Sequence, residues 1–357
     1  MYNDICIVQN SLKTLYGFRV NYIKKLLEKG INVSVIAPID CDESYNELKK
    51  IGVNIIEIPR YGSFFSKIKL ILCMNYAIFT YARTKIIIVH FISTFYISLP
   101  ALFFVKKVVV SIEGIGSLLL RYQILRKISK LALSRRNFKR LFCNEDERDL
   151  LGCEGDKVTG GIGINLLEFN GLDIEKTDGF NMIYVGRLIK DKGILDAIEV
   201  LRLLLSKGSD FRLTIVGDIY PNNPSSINVE SKRQFEREFG DKIVFLGHVK
   251  DVSNYINQSD ALILPSRREG FPVCVMEASA CGVPSICYDV PGCRDAVKEN
   301  INGWLIKPFS IPDMAETLYK YHCLNNSSNM KVTCRELAEL AFDVDSKSEA
   351  FISEVYS

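Results

Sequence analysis

Short apolar runs rich in β-branched residues alternate with helix-length stretches along this chain of 357 residues. Strands that are apolar on both faces are typical of a parallel sheet, because helices cover both sides of such a sheet. The alternation therefore predicts a doubly wound α/β architecture. The strands predicted in the first half are 5–9, 33–38, 54–58, 85–91, 107–112 and 140–144. Those of the second half are 180–186, 211–217, 242–247, 260–266 and 284–288, and its predicted helices are 193–207, 230–239, 251–257, 273–281 and 311–323.

The alternation weakens at residues 166–179, which we interpret as a linker between two domains. The first domain then spans residues 1–165 and the second residues 180–342, and a final helix near 343–357 is expected to pack back on the first. Two domains also suit the length, which is too large for one small core. Such pairs bind ligand in the crevice at the carboxyl ends of their strands. The sequence thus predicts two Rossmann-like domains facing a central cleft.

Charge and cysteine content narrow the possible functions. The net charge is only +3, so overall charge does not indicate a nucleic-acid partner. The 11 cysteines form no C-x-x-C pair and only 3 histidines could join them in a metal site, so we expect reduced cysteines packed as small apolar side chains in the cytosol. The N-terminal MYNDICIVQN lacks a charged segment followed by an apolar one, so no secretory signal is expected.

The uncharged run at residues 86–105, IIIVHFISTFYISLPALFFV, is long enough to be a candidate membrane span. It also contains a histidine, a proline and several hydroxyl residues. Its first part has the pattern of a buried parallel strand, and the remainder suits a short helix. We therefore predict a strand and a buried helix here rather than a membrane span.

The stretch Ser266–Gly282, SRREGFPVCVMEASACG, carries the most informative chemistry. It follows a predicted strand, and a glycine-containing turn leads into a predicted helix. Gly270 would let the backbone approach a ligand closely, and the helix N-terminus presents free N–H groups to an anion. Glu269 and Glu277 would accept hydrogen bonds from sugar or ribose hydroxyls. Two glutamates at this spacing could also be plain surface residues, but the strand, turn and helix around them favour a ligand site.

A second cluster, GRLIKDKG at residues 186–193, lies at the end of another predicted strand. Arg187 and Lys192 precede a helix that opens near Gly193. Two cations beside a helix N-terminus suit a diphosphate, whereas the alternative is a pair of solvated charges. The presence of both clusters in one Rossmann-like domain favours the diphosphate.

With these motifs the chain resembles glycosyltransferase family 4, the retaining enzymes of GT-B fold. G-R-x-x-x-x-K-G at Arg187 and Lys192 matches the diphosphate-binding loop of that family, and E-G-F-P-x-x-x-x-E matches its E-x7-E element. FLGHVKDV and PGCRDAVKENINGWLI also resemble family segments. In the first domain, VSIEGIGSLLL, FCNEDERDLL and GGIGIN resemble the bacterial branch that builds lipid-linked oligosaccharides. The resemblance implies that the first domain binds the acceptor and the second the nucleotide sugar.

The resemblance also implies roles for residues of the second domain. Arg187 and Lys192 would hold the donor phosphates. Glu269 would contact hydroxyls of the donor sugar, and Glu277 would bind the ribose. The turn at the helix start would contact the sugar and phosphate, largely through backbone amides, although its proline has no N–H. A segment after another strand would flank the base. These further donor contacts are Gly270, Phe271, Pro272 and Val273 in the turn, and His248 and Val249 beside the base.

In the first domain the resemblance implies two site residues. Gly17, in the predicted loop after the first strand, would face the diphosphate. His90, at the end of a predicted strand, would lie near the reacting sugar carbon. A histidine that follows an apolar strand is also common as a structural residue, so both interpretations of His90 remain open.

The proposed chemistry follows from charge. Breaking a sugar–diphosphate bond leaves negative charge on the phosphate, and preorganised cations and helix N–H groups stabilise that charge. With Arg187 and Lys192 in this role, we expect no metal, no other cofactor and no covalent nucleophile. Asp-x-Asp triplets are typical of metal-dependent transferases of another fold. The triplet at 40–42 lies in a predicted loop remote from the two motifs, and the triplet at 343–345 lies in the terminal helix region, so we interpret both as chance occurrences. Retention of anomeric configuration is implied by the resemblance.

A basic segment without Asp or Glu runs from Gly114 to Asn144. Within residues 118–140, Lys and Arg fall among Leu, Ile and Phe, which predicts one or two basic amphipathic helices. Such helices lie on anionic membrane surfaces, whereas the alternative is a solvated basic face over an apolar core stripe. No recognised nucleic-acid module accompanies the segment. Because the resemblance implies a lipid-linked acceptor, we expect a cytoplasmic protein held peripherally at the inner face of the cell membrane.

The sequence therefore predicts a retaining transferase. It would move a hexose or N-acetylhexosamine from a nucleotide diphosphate sugar, with UDP expected, to a polyprenyl-diphosphate-linked saccharide. A sugar-nucleotide epimerase on a similar scaffold is the alternative, and the two second-domain motifs argue against it. A catalytically silent binding protein is a third possibility, and the intact charged residues of those motifs argue against that.

Overall fold

A computed structural model of the protein describes residues 4–60, 62, 64–171, 179–221, 223–324 and 327–357. The chain divides into two compact units. Unit 1 is Met1–Ile162 together with Val344–Ser357, and unit 2 is Gly163–Asp343. Each unit is built on one parallel sheet whose strands are joined through helices, so the predicted architecture of two Rossmann-like domains is confirmed.

The first unit contains a parallel sheet whose described strands run in the order β3-β2-β1-β4-β5-β6-β7. In chain order, β1 to β7 are Asp4–Val8, Asn32–Ala37, Asn54–Glu57, Ile86–His90, Lys107–Ile112, Phe138–Phe142 and Lys157–Val158. Helices α1 to α7 are Leu12–Glu28, Asp42–Lys50, Phe64–Ala77, Ile92–Leu102, Gly116–Arg121, Gln123–Leu133 and Glu145–Leu151. A π-helical turn, Ile78–Ala82, extends α3.

The second unit contains a parallel sheet of order β10-β9-β8-β11-β12-β13. Strands β8 to β13 are Phe180–Val185, Phe211–Val216, Ile243–Gly247, Ala261–Leu264, Ser285–Tyr288 and Gly303–Ile306. Helices α8 to α14 are Ile194–Ser206, Val229–Phe239, Ser253–Asn257, Val273–Ala280, Cys293–Ala296, Ile311–Cys323 and Ser327–Ala341. Short 3-10 turns lie at Lys190–Lys192 and Gly240–Lys242.

The terminal helix α15, Val344–Tyr356, packs against α1 within unit 1. Its residues Ile352 and Val355 join the core on one side of the sheet, and α3, α4 and α6 contribute to the core on the other side. The predicted linker at 166–179 includes residues 172–178, which lie outside the described residues. Its described part belongs to unit 2, where the Arg335 guanidinium donates to the Phe169 carbonyl at 2.7 Å.

The uncharged run at 86–105 forms β4 and α4, as predicted. Strand β4 is completely buried between β1 and β5, and α4 buries Phe95 and Leu102 against the sheet. In the part of the chain that the structure describes, no helix is long and apolar enough to cross a membrane.

The basic segment predicted as amphipathic helix at 118–140 is only partly helical. Helices α5 and α6 end at Arg121 and Leu133, and the chain then enters β6 at Phe138. Lys139 and Arg140 are therefore strand residues, and they form ion pairs with Glu354 at 2.6 Å and Asp156 at 2.9 Å. Those two cations are therefore not part of an amphipathic helix, and carboxylates of unit 1 already neutralise them.

Candidate functional site

The two motif loops of unit 2 lie at the carboxyl ends of neighbouring strands. Residues 186–193 follow β8, residues 265–272 follow β11, and the two strands pair directly. The chain passes from β8 to β9 on one side and later returns to β11 on the other, which makes this a topological switch point. Doubly wound sheets bind ligands at such points. The fold thus brings the predicted diphosphate loop beside the predicted sugar loop.

The two loops are in direct contact at Gly193, where only glycine fits. Its φ is 75°, and a Cβ there would come 1.9 Å from the Pro265 carbonyl oxygen. Nearby, the Arg267 N–H donates to the Asp191 carbonyl at 2.9 Å. The position of one loop is therefore fixed by the backbone of the other.

Residues beneath the diphosphate loop hold it from inside the core. The hydroxyl of buried Tyr184 lies 3.0 Å from the Arg187 carbonyl oxygen and 3.2 Å from that of Lys192. On the next strand, a Cβ at Gly217 would come 1.9 Å from the Gly186 carbonyl oxygen. These contacts preorganise the loop before any ligand binds, which is what electrostatic catalysis requires.

Lys192 and Glu269 form an ion pair that joins the two motifs. The Lys192 Nζ lies 2.5 Å from Glu269 Oε2, and the two side chains are 21% and 10% exposed. An ammonium and a carboxylate this close satisfy each other's charge. A bound diphosphate would replace Glu269 as the partner of Lys192. A sugar hydroxyl would replace Lys192 as the partner of Glu269.

Arg187 is exposed at the same edge of the sheet. Its guanidinium lies over the ring of Tyr220 at 5.9 Å from the centroid. Tyr220 follows β9, the strand next to β8, and was not predicted as a site residue. Its position after a strand end is the sequence signal that could have identified it.

The turn from Glu269 to Val273 leads into α11, where Glu277 lies in the second turn. Pro272 is the N-cap of this helix, so the N–H groups of Val273 and Cys274 have no intrahelical partner, whereas that of Val275 donates to the Pro272 carbonyl at 3.1 Å. Burial raises the pKa of Glu277 to about 7. A carboxylate so disfavoured in its charged state gains from hydroxyl donors, as a ribose would supply.

Gly292, which sequence reasoning passed over as a site residue, supports the sugar loop from behind. A Cβ at this position would come 2.5 Å from the Gly270 carbonyl oxygen and 2.7 Å from that of Glu269. The Glu269 N–H also donates to the Pro291 carbonyl at 3.2 Å. The P-G-C sequence in the segment 291–306 is therefore explained by close backbone contact with the loop.

His248 and Val249 follow β10, at the carboxyl end of the edge strand. The His248 N–H donates to Asp218 Oδ1 at 3.0 Å, and the histidine itself is exposed. Val249 packs partly against the core. The structure thus places this pair at the same edge of the sheet as the two motif loops.

Gly17 was predicted to lie in a loop, but it lies in α1. The helix begins already at Leu12, because Ser11 caps it and Asp40 accepts hydrogen bonds from the N–H groups of Leu12 and Lys13 at 2.8 and 3.0 Å. No neighbouring atom lies within 4 Å of a Cβ at Gly17, so no steric reason requires glycine there. The Asp40 carboxylate thus occupies the N-terminus of the helix that contains Gly17.

The two Asp-x-Asp triplets have structural contacts of their own. Asp40 caps α1 as described, and Asp345 pairs with Lys25 at 3.0 Å within unit 1.

His90 is buried at the end of β4 with both ring nitrogens in contact with polar groups. Its Nδ1 lies 3.1 Å from Arg19 Nε, and its Nε2 lies 2.9 Å from the Tyr22 hydroxyl. The ring also stacks on Phe351 of α15. Burial and then the charge of Arg19 lower the pKa of His90 to about 4, so the imidazole is neutral near pH 7.

Glu113 is the member of this cluster with access to solvent. It follows β5, is 17% exposed, and forms an ion pair with buried Arg19. Burial alone would raise the pKa of Glu113, but the charge of Arg19, aided by contacts with His90 and Ser111, lowers it to about 2. Unit 1 therefore presents an ionised carboxylate, and not an imidazole, at the end of its central strands. The strand-end position of Glu113 could have identified it from the sequence.

We predict that His90→Gln mainly affects stability. The substitution removes a stacked ring and disturbs hydrogen bonds to three neighbours, Arg19, Tyr22 and Glu113, so the free energy of unfolding should fall by about 1–3 kcal/mol. Turnover per folded molecule should change far less than for the charged residues of unit 2. Denaturant unfolding beside a turnover assay measures both, and His322→Gln in α13 serves as the control. A folded His90→Gln protein without turnover would contradict this prediction and show that turnover depends on the imidazole, directly or through its contact with Glu113.

Comparison with known proteins agrees with this geometry. Residues 173–331 match the family described as Glycosyl transferases group 1. The capsular polysaccharide biosynthesis glycosyltransferase CapM of Staphylococcus aureus is 32% identical over 156 residues, which cover 44% of this chain and only 39% of that protein. The N,N'-diacetylbacillosaminyl-diphospho-undecaprenol alpha-1,3-N-acetylgalactosaminyltransferase of Campylobacter jejuni is 25% identical over 343 residues, 85% of each protein.

Solved structures show the same fold over almost the whole chain. HepE of Anabaena, in complex with UDP-glucose, has a TM-score of 0.79 at 16% identity and covers 99% of both chains. A glycosyltransferase from Rickettsia africae ESF-5 has a TM-score of 0.78 at 16% identity, covering 99% of this chain and 97% of that one. The matched domain, the named relatives and the fold together support a glycosyltransferase of GT-B fold.

Proposed function

We propose that the protein transfers a hexose or N-acetylhexosamine from a UDP-sugar to a saccharide carried on a polyprenyl diphosphate. The observation that carries this proposal is the Lys192–Glu269 ion pair beside Arg187, at the adjoining ends of β8 and β11. Two cations and one carboxylate at the position where doubly wound sheets bind their ligands support a site for a nucleotide diphosphate sugar.

Donor binding would exchange one set of partners for another. The ammonium of Lys192 then binds phosphate oxygens, and the carboxylate of Glu269 accepts hydrogen bonds from hydroxyls of the sugar. As the bond to the diphosphate breaks, Arg187 and Lys192, with the free N–H groups at the start of α11, stabilise the charge on the leaving group. The proposal needs no metal ion, because protein cations supply this charge. We also propose retention of configuration, supported by the resemblance of the E-x7-E element.

Names of similar proteins support the choice of substrates. The Campylobacter jejuni relative is named for a diphospho-undecaprenol acceptor, and HepE was solved with UDP-glucose. The relatives named above are transferases, so the epimerase alternative is not favoured. The proposed place of action is the cytoplasmic face of the cell membrane, where a polyprenyl-linked acceptor would be met.

On the side of unit 1, we assign acceptor contact to Glu113. It is an ionised, partly exposed carboxylate at the carboxyl end of β5, and such a group accepts hydrogen bonds from sugar hydroxyls. His90 and Arg19 lie beneath it and position it.

The test is a transfer assay with purified protein, a panel of UDP-hexoses and UDP-N-acetylhexosamines, and a polyprenyl-diphosphate-linked sugar. We expect UDP release that depends on the acceptor, and an acceptor heavier by one sugar in mass spectrometry. Activity should persist in EDTA. An altered nucleotide sugar without acceptor would indicate the epimerase. Loss of activity in EDTA that magnesium or manganese restores would contradict the metal-independent mechanism.

A further inference from the structure

Exposed large apolar side chains of unit 1 concentrate on three helices and the turns beside them. Individual exposures reach 80% at Phe65, 75% at Leu131 and 71% at Ile124. We call this set the three-helix face. On α3 and its π-helical extension its members are Phe65, Ile68, Ile71, Leu72, Tyr76, Phe79 and Tyr81. On and after α4 they are Tyr96, Phe103 and Phe104, and around α6 they are Leu120, Tyr122, Ile124, Leu125, Ile128 and Leu131.

The helices α3 and α4 are joined where Pro100 interrupts hydrogen bonding inside α4. The Ala101 N–H, which would otherwise bond within the helix, donates to Asn75 Oδ1 of α3 at 2.8 Å. The Asn75 amide in turn donates to the Ile97 carbonyl at 2.8 Å. One side chain of α3 therefore replaces a backbone hydrogen bond of α4, which holds the two helices together.

The helices α4 and α6 are also connected, so the face is continuous. The Tyr96 hydroxyl of α4 hydrogen-bonds Ser129 Oγ of α6. Phe79 and Phe104 meet edge to face with centroids 6.1 Å apart. All three helices bury residues in the same core on the same side of the sheet. An apolar surface of this extent marks an interaction site, since soluble proteins seldom leave one uncovered.

The segments that form this face carry charges of one sign, although the acidic helix α7 packs beside α6. Residues 58–112 and 114–144 contain no Asp or Glu, and the one carboxylate between them, Glu113, is paired with Arg19. Cations lie directly on the aromatic rings: Arg135 is 4.2 Å from the centroid of Phe103, and Arg83 is 5.0 Å from that of Phe79. Apolar side chains flanked by Lys and Arg are the pattern of helices that lie in an anionic membrane surface.

We propose that the three-helix face docks unit 1 onto an anionic lipid bilayer, with α3 as a principal inserting element beside α6. A second copy of the chain is a poorer occupant, because a symmetric dimer through this face would oppose two surfaces of the same positive charge. The helices would lie in the plane of the interface, since none in the described residues could span a membrane. The proposal rests on the proposed function only in that a polyprenyl-linked acceptor resides in such a bilayer.

The test is sedimentation of the full chain with lipid vesicles. Donor and acceptor are absent, so the result does not depend on the outcome of the transfer assay. Vesicles contain phosphatidylglycerol mixed with phosphatidylcholine, or phosphatidylcholine alone. The triple variant Phe65→Ser, Leu72→Ser, Tyr76→Ser should weaken binding to the anionic vesicles about tenfold or more. Ile124→Ser, Ile128→Ser, Leu131→Ser should do the same. The matched control Leu324→Ser, Val332→Ser, Leu340→Ser removes exposed apolar side chains of unit 2 and should bind as the unchanged protein does.

A charge variant tests the choice of lipid. Arg126→Gln, Lys127→Gln, Arg135→Gln, Arg136→Gln should weaken binding to anionic vesicles, and added salt should have the same effect on the unchanged protein. Thermal unfolding followed by circular dichroism reports that each variant is folded, because UDP binding would report on unit 2 alone and the α3, α6 and charge substitutions lie in unit 1. Equal vesicle binding by the α3 variant and the control would overturn the role of α3. A dimer in sedimentation velocity that the α3 variant dissociates, without vesicle binding, would show that the face is a contact between copies.

Discussion

Replacement of Arg187 by alanine is expected to lower turnover about 10²- to 10³-fold, the usual effect of removing one preorganised electrostatic group from a site where charge develops. The side chain is exposed and lies against Tyr220, so its loss should leave the fold intact. Initial rates at saturating donor give the comparison. Arg202→Ala is the control, because it removes the same charge from α8 of the same unit, where Arg202 pairs with surface glutamates and lies over the ring of Phe239.

Lys192→Ala should lower turnover by a similar factor but for two reasons. It removes a cation from the diphosphate, and it leaves Glu269 without its partner at 10% exposure. Without the lysine the carboxylate loses the partner that holds it in place, so Glu269 would be a poorer acceptor for sugar hydroxyls. Turnover of Arg187→Ala at the level of the unchanged protein would remove the diphosphate role that both substitutions test.

The motif loops of unit 2 could be predicted because the sequence marks strand ends clearly. An apolar run followed by a glycine and a charged residue puts Arg187, Lys192 and Glu269 at one edge of a parallel sheet. What the sequence could not show is that the lysine and the glutamate bind each other, since that depends on which strands are neighbours. The order β8 next to β11 is a property of the whole sheet.

The predictions for unit 1 were less accurate because local capping and burial decide its details. Gly17 was expected in the loop after the first strand, but Asp40 of a distant loop completes the N-terminus of α1, and the helix begins before Gly17. For His90 the sequence left a role near substrate and a structural role open, and in the structure α1 and α15 cover it with Tyr22 and Phe351. Neither contact is visible in local sequence pattern.

Helix α3 illustrates a signal that was present and not used. Its run FFSKIKLILCMNYA has apolar residues all round, so it lacks the amphipathic period by which a surface helix is predicted. The absence of acidic residues from 58 to 112 was nevertheless visible, and it extends the basic surface well beyond the segment 118–140. Charge depletion over a long window is a better indicator of this face than helical periodicity.

The two glutamates of unit 2 should have separable effects. Glu277→Gln should weaken UDP binding about 10- to 100-fold, since it removes hydrogen bonds to a charged group that would contact the nucleotide itself. The contribution of Glu277 to UDP binding should also depend on pH. Burial raises the pKa of Glu277 to about 7, so the ionised form that accepts ribose hydroxyls is lost as pH falls below that value. UDP affinity of the unchanged protein should therefore decline from pH 8 to 6, and that of Glu277→Gln should not.

Glu269→Gln should leave UDP binding intact or tighten it, because Lys192 is then released from its ion pair and is free for the phosphates. Turnover should nevertheless fall about 10²-fold, since the contact with the sugar exists only when a sugar is attached. Calorimetric titration of both variants with UDP, together with rates measured with the full donor, separates the two roles. Loss of UDP binding in Glu269→Gln with retention in Glu277→Gln would reverse the assignment. The ion pair makes this comparison informative, because free Lys192 predicts a gain in nucleotide affinity that a general loss of folding cannot imitate.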